Sequence, residues 1–142
     1  MRFAVDRLDH LVITCNEVET SASWYQRVLG MEMDSFGPHN RTALRFGGQK
    51  INLRPRDATQ EDWFTGKAAA PGSQDLCFIV TMAAEHVVSH LRECGVTIEQ
   101  GPVEKAGALG TIKSVYCRDP DGNLIEIASY GDVDGDMGGD AE

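Results

Sequence analysis

The sequence predicts an α+β fold of two tandem βαβββ modules. Three observations lead there. Short β-branched runs of strand length recur along the chain, each half holds one stretch of helical periodicity, and the order strand, helix, strand, strand, strand is written twice.

The first strand is the run Leu8-Asp9-His10-Leu11-Val12-Ile13-Thr14. Asn16 follows as an N-cap residue with Glu19 three positions on, the spacing of a capping box. Trp24, Tyr25, Val28 and Leu29 fall at helical spacing, and Gly30 is placed to end that helix. Three short strands are predicted at 32–36, 41–46 and 50–54, with Gly37-Pro38 and Gly47-Gly48 in the turns between them. Residues 57–71 read as a linker with some local order around Trp63-Phe64. The pattern then restarts with a strand at 75–81 and a helix at 83–94, whose stripe of Val87, Leu91 and Cys94 ends at Gly95. A strand at 96–100, a glycine-bearing loop through Gly101, Gly107 and Gly110, and strands at 113–118 and 123–129 complete it. One domain is expected over residues 1–130, with modules at about 6–56 and 72–130, followed by a flexible acidic tail at 131–142.

Composition limits the functions open to the chain. Its 142 residues carry 22 acidic and 13 basic side chains, a formal charge of −9, and the stretch from Gly131 onward holds five of the acids and no base. No basic surface is implied, so neither nucleic acid nor an anionic membrane is expected as a partner. No run approaches the ~18 apolar residues of a membrane span, and the N-terminus has no signal-peptide core. Cys15, Cys77, Cys94 and Cys117 lie far apart without a CxxC pair, three of them in or beside apolar runs as buried free thiols are. A reduced cytoplasm is the expected location.

The chemistry is expected where polar residues interrupt apolar strands. Aligning the two copies sets Asp9-His10-Leu11-Val12 against Gln74-Asp75-Leu76-Cys77. It also sets Gln49-Lys50-Ile51-Asn52-Leu53 against Asn123-Leu124-Ile125-Glu126-Ile127, so His10 corresponds to Asp75 and Asn52 to Glu126. Alternation sends Leu11, Ile13, Ile51, Leu53, Leu76, Phe78, Ile125 and Ile127 to one face, beneath the helices. His10, Asn52, Asp75 and Glu126 fall in mid-strand on the other. A carboxylate is costly to bury there alone, and a divalent cation is one feature that compensates all four groups.

Each has a plainer alternative. His10 also suits a core histidine bonded to a backbone carbonyl, Asp75 a turn residue after Gly72-Ser73, and Asn52 a hydrogen-bonding strand residue. Glu126 as a surface residue is opposed by its neighbours Leu124, Ile125, Ile127 and Ala128. His86 and His90, four apart on the second helix, flank its apolar stripe without an HExxH pattern and read as a solvated or half-buried face. His39 belongs to an exposed turn, no cysteine has activating neighbours, and Gly107-Ala108-Leu109-Gly110 lacks the spacing of a P-loop.

These residues resemble the vicinal oxygen chelate superfamily, which includes glyoxalase I, methylmalonyl-CoA epimerase, fosfomycin-resistance proteins and extradiol dioxygenases. The resemblance spans residues ~6 to ~130. It is carried by Leu8-Asp9-His10-Leu11-Val12, by Trp24-Tyr25-Gln26-Arg27-Val28-Leu29-Gly30-Met31, and most specifically by Asp119-Pro120-Asp121-Gly122-Asn123-Leu124-Ile125-Glu126-Ile127. Gln49-Lys50-Ile51-Asn52-Leu53 and Pro71-Gly72-Ser73-Gln74-Asp75-Leu76 look most like the glyoxalase domain-containing protein 5 group. The resemblance implies that the two βαβββ modules form a cup-shaped mixed β-sheet around a metal with helices outside, often across a homodimer. In it His10 takes the place of the first-strand His ligand and Glu126 that of the last-strand Glu ligand. Asp75 stands where many members have a second His, and Asn52 where glyoxalase I has Glu and relatives have Gln or His.

One His with two carboxylates leans toward Mn²⁺, Fe²⁺, Mg²⁺ or Ni²⁺ over a closed Zn²⁺ site. Asn52 offers a carbonyl oxygen but cannot act as a general base, which weakens the glyoxalase I chemistry in particular. The glycine loop borders the cavity in the family, so Lys105, Lys113, Tyr116 and Arg118 are candidates to meet an anionic or carbonyl-bearing substrate, with Asn52 and Arg54 as further lining residues. The expectation is a small metal-dependent, glyoxalase-like lyase or isomerase. It would chelate the vicinal oxygens of a small carbonyl-containing substrate at a divalent cation (Mn, Fe, Ni, Mg or Zn) held by His10, Asp75 and Glu126. Glu126 would be catalytic, and an enolate-like intermediate would be stabilised by Lewis-acid polarisation. Two other readings stand beside it: a metal-free binding or resistance protein of the same fold, and an Fe(II) extradiol-type dioxygenase, whose two-His triad Asp75 breaks.

Overall fold

The computed structural model describes residues 2–131, in two compact units divided between Ser73 and Gln74. The expectation for the acidic tail falls on residues outside these, Gly131 apart. The first unit runs β1 (His10–Cys15), α1 (Val18–Leu29), β2 (Glu32–Phe36), β3 (Arg41–Phe46) and β4 (Gln49–Pro55). The second runs β5 (Asp75–Ile79), α2 (Ala84–Glu93), β6 (Gln100–Ala106), β7 (Thr111–Arg118) and β8 (Leu124–Tyr130). Each forms a four-stranded mixed sheet, in the orders β1-β4-β3-β2 and β5-β8-β7-β6. The outer helix-linked strand pairs parallel with the last strand of its own unit, and the other pairs are antiparallel.

The registers repeat. Val12 lies opposite Asn52 and Ala43 opposite Asn52 in the first unit, as Cys77 and Tyr116 lie opposite Glu126 in the second. The internal alignment read from the sequence is therefore the alignment of the strands. His10 and Asp75, however, head their strands and are exposed, not in mid-strand.

In α1, Ser21, Ala22, Trp24, Tyr25 and Val28 form the buried stripe that packs on β3 and β4. Gly30 adopts φ 69°, and its N–H and that of Met31 close onto the carbonyls of Gln26 and Tyr25. The start of this helix differs from expectation. The helix begins at Val18 with Glu17 as the N-cap, without a side-chain cap bond, one residue later than the sequence places it; the Asn16 Oδ1 accepts from Arg56 Nη1 at 2.6 Å. In α2, Ala84, Val87 and Leu91 are the buried positions, against β6, β7 and β8.

The strand expected at 96–100 does not form; β6 begins at Gln100 and runs through what was read as loop. Gly101, at φ 103°, is the reason the sequence misleads. A Cβ there would stand 2.3 Å from the Ser114 carbonyl oxygen, so glycine marks a close approach of β6 to β7, with a register shift between Gln100 and Val103. The linker has no strand or helix, but Trp63 is buried: Arg54 donates to the carbonyls of Trp63 and Ala58, and Arg41 stacks 4.0 Å from the Trp63 ring centroid. Phe64 is exposed. All four cysteines are free; Cys15 and Cys117 are buried, Cys94 is half-buried and Cys77 is exposed, so only two fit the buried-thiol expectation. Among the described residues, no helix is long and apolar enough to cross a membrane.

Candidate functional site

The motif from Asp119 to Asn123 sets the position of β8. The buried Asp119 carboxylate accepts from the N–H groups of Asp121 (2.9 Å) and Asn123 (3.0 Å) and from Asn123 Nδ2 (2.7 Å). The fully buried Asn123 returns its Oδ1 to the Gln74 N–H at 2.8 Å, and the Leu124 N–H bonds the Gln74 carbonyl at 3.0 Å. That network locks the start of β8 to the start of β5. Alternation then carries Leu124 and Glu126 to the same face as Asp75 and Cys77.

On that face lies an open cavity of about 510 Å³, lined by Asp75, Glu99, Gln100, Tyr116, Arg118, Leu124 and Glu126. Glu126 is its most heavily bonded group. The buried Ser114 hydroxyl donates to Glu126 Oε2 at 2.6 Å, while Tyr116 and Cys77 stand opposite Glu126 on the two neighbouring strands and hydrogen-bond to it. Burial, then the bond to Glu126 and its charge, push the Tyr116 phenol up to about 12. Burial, then the charge of Glu126 and a bond to it, push the Cys77 thiol up to about 11. Both groups keep their protons at neutral pH. Arg118 is committed to Glu99, at 3.1 Å, and to the Gly122 carbonyl.

Of the expected metal ligands, Asp75 and Glu126 are brought to one cavity. His10 is on the first unit, where its Nδ1 lies 2.8 Å from Asp9 Oδ2; the bond to His10 is the main cause holding the Asp9 carboxyl below its usual value. A carboxylate on Nδ1 is the arrangement that orients a ligating histidine and leaves Nε2 its lone pair. Within either unit, among the described residues, no three His, Cys, Asp or Glu side chains gather into a group that could hold a metal ion. On the second unit's cavity wall, Asp75 and Glu126 offer carboxylate oxygens, the donor type a hard divalent cation takes.

Other expected site residues fall differently. Asn52 is buried at the centre of the first unit's sheet, and its Oδ1 has no hydrogen-bond partner. Arg54 is buried, and its guanidinium donates to the linker carbonyls of Trp63 and Ala58. Lys113, opposite Ser129, falls on the face away from Glu126, because it is one residue out of step with Ser114. Lys105 Nζ stands 5.8 Å from the Tyr116 ring centroid. The loop at Gly107–Gly110 closes on itself and bonds through the Leu109 N–H to the Tyr130 hydroxyl. His86 is exposed, and His90 is half-buried with its Nε2 3.6 Å from Cys94 Sγ. Ser114, Glu99, Gln100 and Cys77 lie outside the expected set; the pairing sets Cys77 opposite Glu126 and Ser114 diagonal to it, opposite Ala128, and that register is the signal that finds both.

Residues 7–127 match the family model described as the Glyoxalase/Bleomycin resistance protein/Dioxygenase superfamily. The chain is 48% identical to the virulence protein STM3117 of Salmonella typhimurium over 132 residues, 92% of this chain and 88% of that protein. It is 46% identical to the glyoxalase domain-containing protein RDO1 of Mycosarcoma maydis, over 93% of this chain and 73% of that one. Among solved structures, the integron cassette protein VCH_CASS1 from V. cholerae superposes with a TM-score of 0.87 at 44% identity, covering 92% of this chain and all of that one.

Proposed function

The chain belongs to the glyoxalase/bleomycin resistance protein/dioxygenase superfamily, and on that footing we propose that it is a small metal-dependent lyase or isomerase acting on a carbonyl-containing substrate. The observation that supports this best is the convergence of Asp75 and Glu126 on one cavity wall. In this reading those two carboxylates and the His10 imidazole hold a divalent cation. When bound, such an ion polarises adjacent substrate oxygens and lowers the barrier to removing a neighbouring proton.

The chain's own groups supply the rest. Glu126, held among the Ser114, Tyr116 and Cys77 donors, is the carboxylate we assign to proton transfer. Tyr116, protonated at neutral pH, gives its one O–H to Glu126 and helps to hold that carboxylate in place. The lining has three carboxylates and one guanidinium, already paired with Glu99, so it favours a neutral substrate beside a cation over a strongly anionic one. The protein acts as a homodimer in this reading, because each unit's sheet ends in two edge strands, β1 and β2 in the first and β5 and β6 in the second, that pairing can cover. Light scattering at micromolar concentration should give twice the chain mass.

A metal-free ligand carrier is the second reading, and one observation favours it: neither unit by itself gathers three metal-binding side chains among the described residues. Proton NMR in D₂O separates the two. Incubated with small α-hydroxycarbonyl compounds and Mn²⁺ or Ni²⁺, followed by chelation before recording, the enzyme should wash deuterium into the carbon next to the carbonyl. Exchange no faster than in protein-free controls across the panel would favour the carrier.

A further inference from the structure

Glu126 and its surroundings carry one inference more, which rests on the metal-binding reading of the site. We propose that Ser114 is a positioning residue: its hydroxyl, beside the Tyr116 and Cys77 bonds to the same carboxylate, pins Oε2 of Glu126 and so fixes the orientation in which that carboxylate meets a cation in the cavity. The donor direction is not in doubt, since the carboxylate has no hydrogen to give. At 2.6 Å the bond is in the range of a charge-assisted O–H···O⁻ contact, and Ser114 is fully buried, so water does not compete for it. The backbone at Ser114 is itself fixed, because Gly101 packs against its carbonyl at a separation that admits no side chain.

The repeat provides an internal control. In the first unit Asn52 occupies the position of Glu126, and Ala43 lies opposite it where Tyr116 lies opposite Glu126. Two residues before Ala43, in the place of Ser114, is Arg41, whose guanidinium is turned to the Asp62 carbonyl and the Trp63 ring. The Asn52 Oδ1 there has no hydrogen-bond partner. The βαβββ unit therefore forms without a hydroxyl at this position. The hydroxyl occurs in the unit whose central strand carries a carboxylate, and it is bonded to that carboxylate.

An anchored ligand has less rotameric freedom to lose when an ion arrives, which is why groups that hold a ligand typically govern ~10–100-fold of metal affinity. Mn²⁺ is the probe. Calorimetric titration of the full-length parent, Ser114→Ala and Ser114→Thr, with folding of each checked by near-UV circular dichroism, tests the role. Ser114→Ala should bind Mn²⁺ ~10–100-fold more weakly, and Ser114→Thr, which keeps the hydroxyl, should recover most of the loss. A folded Ser114→Ala that binds like the parent overturns the positioning role, as does a folded Ser114→Thr that binds no better than Ser114→Ala. Parent protein that takes up no Mn²⁺ overturns the reading of the site itself.

Discussion

Replacing Asn52 by leucine should make this protein more stable. Asn52 is 6% exposed, and its Oδ1 is a buried acceptor with no partner. Leaving such a group unsatisfied costs about 1–3 kcal/mol. Its cross-strand neighbours, Val12 and Ala43, are apolar, and the nearby Arg54 and Arg41 are committed to the 58–63 segment, so leucine would meet aliphatic groups. Leucine is bulkier than asparagine, and overpacking returns about 1 kcal/mol of the gain. The net expectation is a stabilisation of about 1 kcal/mol, or a rise in Tm of roughly 4 °C for a chain of this size. Urea denaturation of both proteins in the presence of a chelator, followed by far-UV circular dichroism, measures it. A loss of more than ~1 kcal/mol would refute the reasoning, because it would mean that the amide makes a bond worth more than its burial costs.

Two further outcomes follow from the same bonds. Asn123→Ala removes the side chain that joins Asp119 to Gln74, leaving a buried carboxylate and a backbone N–H short of partners, so it should cost about 3 kcal/mol in a urea titration. A loss below ~1 kcal/mol would show that the network does not fix β8. Stability should also decline between pH 9 and about 11. Burial, then the charges of Asp119 and Glu99, raise the buried Cys117 thiol from 9.0 to about 11. The folded state therefore keeps that proton after the unfolded chain has released its own, and the stabilisation, complete below 9, is lost as pH rises through 11. Urea midpoints at pH 8 and pH 10.5 measure the decline, and Cys117→Ala should reduce it, with the Cys77 thiol, also raised to about 11, contributing the rest; an unchanged slope in that variant would contradict the assignment.

The repeat is legible in the sequence because each unit depends on an apolar face with period two, and shifting any strand by one residue would turn that face to solvent. The same constraint made Asp75 and Glu126 conspicuous, as polar groups at matched positions in apolar strands. Three features were not legible, each for a local reason. Gly101-Pro102 has the composition of a turn, yet the glycine is there because the β7 backbone leaves no room for a Cβ. Asn16 has the identity and spacing of a cap, but the helix takes Glu17 as its N-cap, and the bond from Arg56, forty residues away in sequence, to the Asn16 side chain is not visible in local spacing. Ser114 lies in a strand whose small polar residues carry no signal by themselves; its role emerges only when pairing places it beside Glu126.

Metal stoichiometry tests the central claim, that His10, Asp75 and Glu126 hold a divalent cation, most directly. Parent protein, His10→Ala, Glu126→Gln and His86→Ala would each be stripped, exposed separately to Mn²⁺, Fe²⁺, Ni²⁺ and Zn²⁺, desalted and analysed by plasma mass spectrometry. The account predicts about one ion per chain in the parent and in His86→Ala, with sharp loss in His10→Ala and Glu126→Gln, since one missing ligand leaves the remaining donors unable to close the site. Parent protein that stays metal-free with all four ions would contradict it, and equal loss in His86→Ala would place the site elsewhere.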